Sequence, residues 1–393
     1  MPSTVQLIFI VIKIVMYFFL YIGGNAMARS CNRAQYWCCA ILPIMAYTFS
    51  SGLRFGREID YNLYYFEYND IVLGRTDFFE FEPIFTITTL FLGKLCGLEW
   101  QYMVVFMSFF LIFSCVVFLE RYKEVSAIAL PLFVFNMRLA ENTMRWFFAF
   151  SFLLIALSYF KNSKYTLRKS YYSFAFFSFL AVMTHYFMGV VIIIYILLMI
   201  PKKCILGPKL SICVFAVSIL FSSPLMFGGF IDDVARLEFL TGRFEHYAAN
   251  AEMYITGEGT EGYDGMDYSS YIYSVFMILV GYRIVQLKPS LVLPYNIALI
   301  GIFTAPLLSK LEIGLRIRYV FFSFQFLILA YTFVYILHNR VKRSLIMKLI
   351  CIILILNMIR TQITIPLDLP DSKLLYVWDR NGRNYLDVDS YYK

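Results

Sequence analysis

Apolar runs of 15 to 22 residues follow one another from end to end of the chain, separated by short polar breaks. A helix needs about 20 apolar residues to cross the hydrocarbon of a bilayer. The pattern predicts spans over 4–22, 35–51, 100–119, 126–140, 145–160, 170–184, 186–200, 209–227, 270–286, 291–309, 319–337 and 345–366. The break at Thr184–His185 also reads as a kink inside one long helix. The stretch 83–98 is apolar but short and carries Lys94 and two glycines, so it reads as a half-helix or re-entrant segment. The first run lacks a basic leader and a small-residue cleavage site, so it reads as a retained span. The expected fold is therefore an all-α polytopic integral membrane protein with about 12 transmembrane helices. Residues 1–393 form a single membrane-embedded domain, with outer loops at 52–82 and 228–269 and an outer tail at 367–393.

Composition supports this reading. The 393 residues are 60% hydrophobic and only 15% charged, against about 45–50% and about 25% in soluble domains. That excludes a soluble enzyme and a secreted disulfide scaffold. The net charge of +8 is not a nucleic-acid footprint, because the basic residues lie in short loops between apolar runs. The short loops 23–34, 120–125, 161–169, 202–209, 283–288 and 340–348 hold 17 Lys/Arg and two acids. The set 52–82, 136–145, 228–269, 310–318 and 367–393 holds 14 Lys/Arg and 23 acids. Positive loops stay in the cytoplasm, so the second set and both termini are expected outside. Lys13 and Arg360 are the charges inside predicted spans, both able to snorkel. The eight cysteines show no CxxC and none lies in a long acidic loop. No zinc site, structural disulfide or other cofactor is expected.

The candidate chemistry gathers on the outer side. Arg54, Arg57, Glu58, Asp60, Tyr61 and Tyr64 follow the second span closely. A guanidinium at the membrane boundary can grip a phosphate through two parallel hydrogen bonds. Asp60 can orient that arginine or take a sugar proton, although an interfacial loop with belt tyrosines accounts for the same composition. Glu82 precedes Pro83, where helix capping competes with a role beside Arg54. Arg138, Glu141, Asn142 and Arg145 lie between two spans, and Arg145 is expected to point inward because arginine facing lipid is costly. His185 interrupts an apolar stretch, either as a packing residue or as a proton acceptor. Lys310, Glu312, Arg316 and Arg318 put positive charge on an acidic face, which suggests an anion pocket. The 228–269 loop, with nine acids and seven glycines, suits sugar hydroxyls or simple solvation.

These residues resemble the EpsG-type branch of the Wzy-like bacterial polysaccharide polymerases. That family's pattern, roughly G-x-R-x-x-x-G-x-D-Y-x-x-Y, aligns with Gly52, Arg54, Asp60, Tyr61 and Tyr64. Glu58 stands at the middle Gly, and Gly56 is placed to take over the turn. Further matches are Glu82-Pro-Ile-Phe85, Asn142 with Arg145 (Trp146 replacing Gln) and His185. The resemblance runs from about residue 20 to 200. It implies joining of glycan repeat units carried on undecaprenyl pyrophosphate, at the periplasmic face of the bacterial inner membrane. The product would be O-antigen, capsule or exopolysaccharide. Implied partners are the lipid-linked oligosaccharide, membrane lipids and a chain-length regulator protein, with no nucleic acid. The implied catalytic residues are Arg54, Asp60, Arg145 and His185, with Arg57, Tyr61, Tyr64, Glu82, Asn142, Arg316 and Arg318 binding substrate and no metal. Two rivals are an O-antigen ligase, which shares the donor, and a flippase, which needs basic residues along a cavity through the whole membrane.

Overall fold

The computed structural model describes residues 2–57, 60–78, 80–160, 167–201, 203–222, 266, 268–308, 312–338 and 345–379. Among them every regular element is helical. Most of the predicted 228–269 loop and the end of the tail lie outside the described residues. Among the described residues five stretches are long and apolar enough to cross a membrane: Thr4–Arg29, Trp100–Asn136, Tyr268–Leu287, Pro289–Leu308 and Ile317–Ile336.

The chain forms two units, 1–192 with 333–393, and 193–332. In the first, α1 (Thr4–Arg29) packs on α2 (Arg33–Gly52), which lies against α5 (Trp100–Leu119). The intervening α3 (Asp60–Val72) and α4 (Pro83–Thr89) are short, and a π-turn (Leu90–Leu95) extends α4. A 3-10 turn kinked at Tyr122 joins α5 to α6 (Ser126–Asn136), which returns to α1. Then α7 (Met144–Tyr159) packs between α5 and α8 (Leu167–Thr184). A turn at His185 separates α8 from α9 (Met188–Met199), so 170–200 is two helices.

In the second unit, α10 (Pro208–Phe221) and α11 (Tyr268–Leu287) pack on α12 (Val292–Leu308), which meets α13 (Glu312–Phe322). Tyr295 donates to the Ile278 carbonyl at 2.8 Å, and Asn296 bonds the backbone of Lys203 and Ile205. The remaining helices are α14 (Gln325–His338) and α15 (Leu345–Asp368).

Three expectations change. The loop 52–82 contains α3, because Tyr61, Tyr64, Tyr68 and Ile71 recur at helical spacing and bury one face. The segment 310–318 is helical from Glu312 onward. The tail is docked: residues 371–379 fold into two 3-10 turns, with Leu374, Leu375 and Tyr376 buried.

Within the first unit the two loop sets separate. At one end Arg33 pairs with Glu120 at 3.2 Å, and Lys123 donates to the Ser30 carbonyl at 2.6 Å. Nearby Arg121 donates to the Phe160 carbonyl at 3.1 Å. At the other end Ser3 donates to Asp371, and Gln6 Nε2 donates to the carbonyls of Leu367 and Leu369. Helix α1 has 26 residues, and at about 1.5 Å per residue it can carry the chain between those ends.

Candidate functional site

The site is built where α2 ends. Gly52 is the last residue of that helix and lets it approach α5 closely, since a Cβ there would sit 3.0 Å from the Val105 Cα. Its carbonyl accepts from Gln101 Nε2 at 2.6 Å. Gly56 then adopts φ 60°, a left-handed turn open to glycine at little cost. The turn sends Arg54 and Arg57 inward, leaving them 2% and 3% exposed.

Arg54 donates to the Ser51 carbonyl, to Ser108 Oγ at 3.4 Å and to the Glu141 carbonyl at 3.2 Å. Arg57 donates from Nε to the Leu375 carbonyl at 3.0 Å, and its Nη1 lies 3.6 Å from Glu141 Oε2. The Arg57 guanidinium lies 4.1 Å from the ring of Tyr376 and 4.8 Å from that of Phe9. Lys13 completes the cluster 3.4 Å from Glu141 Oε1. Three cations thus surround one carboxylate. Burial opposes ionisation of Glu141, but Lys13, Arg57 and Arg54 outweigh it and hold its pKa down at about 2. Arg54 Nε and Arg57 Nη2 are buried without a hydrogen bond. Beside Arg54 a narrow cavity opens, lined by Tyr47, Ser108, Glu141, Met144 and Phe147.

A second set forms around Arg145 at the start of α7. Its Nη2 lies 3.2 Å from Glu67 Oε1 on α3, and its Nη1 donates to Glu82 Oε2 at 3.3 Å. The rings of Tyr64, Phe81 and Phe85 lie 5.3 to 5.6 Å from the guanidinium. Here two carboxylates face one cation, so the balance of charge is opposite to that around Arg54. Asn142 links the two sets, as its Oδ1 accepts from the Asp60 backbone N–H at 3.0 Å.

The remaining candidates are spread out. Tyr61 is buried, donating to Gln101 Oε1 at 3.0 Å and meeting Trp100 edge-on. His185 packs edge-on against Trp146 at 4.8 Å. Arg318 lies on α13 in the second unit with its guanidinium 5.1 Å from the Phe322 ring. Arg316 is on the same helix.

Several residues hold places that sequence reasoning did not assign them. Glu82 is held by Arg145 and makes no capping hydrogen bond with its side chain. Lys13 is 9% exposed and paired with Glu141 rather than snorkelling. Glu141, named in the sequence among the candidates but given no role there, is the centre of the Arg54 set, and Glu67, Ser108, Leu375 and Tyr376 are not among those candidates. Glu67 follows Tyr64 by three positions, the one local signal that it shares the Arg145 face of α3. Among the described residues no three His, Cys, Asp or Glu side chains converge as a metal site.

These features define an all-α membrane protein with a buried, cation-rich site at one end of its first helical unit. A family model for the EpsG family matches residues 35–369. The chain belongs to the EpsG family, a Wzy-like polysaccharide polymerase family. No curated protein and no solved structure gives a significant match.

Proposed function

We propose that the chain polymerises undecaprenyl-pyrophosphate-linked glycan repeat units at the periplasmic face of the bacterial inner membrane. The observation that carries this reading is the buried positive charge that Lys13, Arg54 and Arg57 gather around Glu141. Both guanidiniums keep N–H groups without hydrogen bonds, and a diphosphate supplies the acceptors and negative charge they lack.

In the proposed reaction an acceptor sugar hydroxyl attacks the anomeric carbon of the growing chain. The bond from that carbon to the pyrophosphate oxygen breaks, and undecaprenyl pyrophosphate leaves with the electron pair. Arg54 and Arg57 stabilise the developing charge. His185 takes the hydroxyl proton, a role open to an imidazole within reach of the acceptor. Arg145, already committed to Glu67 and Glu82, holds those carboxylates and Tyr64 for sugar hydroxyls, and Asn142 fixes the start of α3 where Asp60 stands. Arg316 and Arg318 are proposed as further anion contacts.

The twelve-span topology, with both termini outside, belongs to this proposal. The contact between the N-terminal residues and 367–371 supports placing both termini on one side. In a background lacking the native cysteines, cysteines at Asp77 and Ser270 should react with an impermeant thiol reagent in cells with a permeabilised outer membrane. Labelling only after lysis would invert the topology.

Deletion of the gene tests the function. A single repeat unit left on the surface acceptor is the result expected of a polymerase. Lipid-linked polymer accumulating without attachment would point to a ligase, and units retained inside to a flippase. For the proton acceptor, His185→Gln should slow polymerisation by about 10²-fold or more. Normal polymerisation by that variant together with a dead Asp60→Asn would transfer the role to Asp60.

A further inference from the structure

Arg54 and Arg57 are too buried to meet a ligand in this arrangement, so one of the walls around them has to move. Four walls come from α1, α2, α5 and the turn before α7, whose backbone groups are bonded within the helical scaffold. The fifth is the segment 371–379. Two backbone hydrogen bonds tie it to the end of α2: Phe55 N–H donates to the Leu375 carbonyl and Val377 N–H to the Leu53 carbonyl, each at 3.0 Å. Tyr376 lies over the Arg57 guanidinium and stacks on Trp378 at 4.7 Å, which stacks on Phe49 at 5.8 Å. Two short 3-10 turns with few ladder bonds open at lower cost than a full helix.

The closed arrangement is also poorly satisfied. Arg54 Nε, Arg57 Nη2 and the Tyr376 hydroxyl are all buried without hydrogen bonds. Buried donors left unpaired favour exchange of their cover for an anion that pairs them. The segment and Lys13 both fall outside residues 35–369, the part shared with the family. The site is thus completed by portions of this chain that lie beyond the shared span.

We propose that residues 371–379 are a strap that lifts to admit a diphosphate to Arg54 and Arg57 and closes over it. Tyr376 acts as a positioning residue that holds the Arg57 guanidinium by stacking. This rests on assigning the arginine pair to a diphosphate.

The test locks the strap. Phe49→Cys and Trp378→Cys, in the full chain lacking its native cysteines, place two thiols at exposed positions outside the anion cluster. A short bifunctional thiol reagent joins them. Binding of inorganic pyrophosphate and of farnesyl pyrophosphate is then measured on the purified protein, joined and unjoined. The joined form should bind at least about tenfold more weakly, in proportion to the lost open population. Equal binding by both forms overturns the strap and leaves the diphosphate assignment standing. No binding by the unjoined form overturns both. Tighter binding of the farnesyl compound assigns the site to a lipid-borne head group, and equal affinity to the free diphosphate, either in accord with the strap. Tyr376→Phe should keep the affinity that Tyr376→Ala loses, and equal affinity of the two would remove the positioning role.

Discussion

A Glu141→Gln variant should lose about 3–5 kcal/mol of stability, the usual result of removing one partner from a buried ion pair. The reason is local. Lys13 and Arg57 both spend their charge on this carboxylate, at 3.4 and 3.6 Å, and α1 and the end of α2 meet through it. Glutamine keeps the shape but leaves the cations uncompensated. The unfolding midpoint of the purified protein in detergent measures the effect. The double variant Lys13→Met, Glu141→Gln should recover part of the loss, because one uncompensated charge is removed with its partner. The pH dependence follows from a folded-state pKa of about 2, below the ordinary glutamate value. The charged form therefore stabilises the fold fully above the unfolded pKa, and this contribution is lost as pH falls toward 2. The gap between parent and variant should be the same at pH 6 and pH 8, conditions chosen for the assay, and should shrink under strong acid. An unchanged midpoint in Glu141→Gln would mean that the cluster is not held together by this charge.

The second large effect is on chemistry. Arg54→Lys should reduce polymer formation by about 10²–10³-fold, the range for loss of one preorganised charge-stabilising donor. Lysine preserves the charge but not the planar fork. That fork reaches the Ser51 and Glu141 carbonyls and Ser108 Oγ simultaneously. Its effect should be larger on turnover than on membrane insertion, which the level of the protein in membranes reports. Arg145→Lys is expected to behave differently. Its losses should fall on folding as well as activity, since Glu67 and Glu82 would then share one weaker partner. Normal polymer from Arg54→Lys would remove the arginine pair from the reaction.

Much of the helical architecture was legible because apolar runs of membrane length and basic short loops are local signals. Helices α5, α7 and α8 begin and end within a few residues of their expected bounds. The left-handed turn at Gly56 was legible too, since the family's middle glycine position is occupied by Glu58 and a neighbouring glycine was at hand. Helix α3 was hidden by its own composition. Its polar and aromatic residues resemble an interfacial loop, although Tyr61, Tyr64, Tyr68 and Ile71 carry a helical period.

The site was legible only in part, because its partners are distant along the chain. Lys13 and Glu141 are 128 positions apart, and Arg57 and Leu375 are 318 apart. Nothing local in the tail distinguishes a docked Tyr376 from a solvated one. The exchange of partners at Glu82 has the same origin. Proximity in sequence favoured Arg54, whereas packing of α4 against α3 and the start of α7 delivers Glu82 to Arg145.

The most direct measurement of the central claim is reconstitution. The purified chain, placed in liposomes with undecaprenyl-pyrophosphate-linked repeat units, should yield glycans longer by whole repeat units. One undecaprenyl pyrophosphate should be released for each bond formed, and the Arg54→Lys protein, folded to the same extent, should give almost none. Repeat units left unchanged by the folded parent protein, or transferred singly to another acceptor without lengthening, would contradict the account.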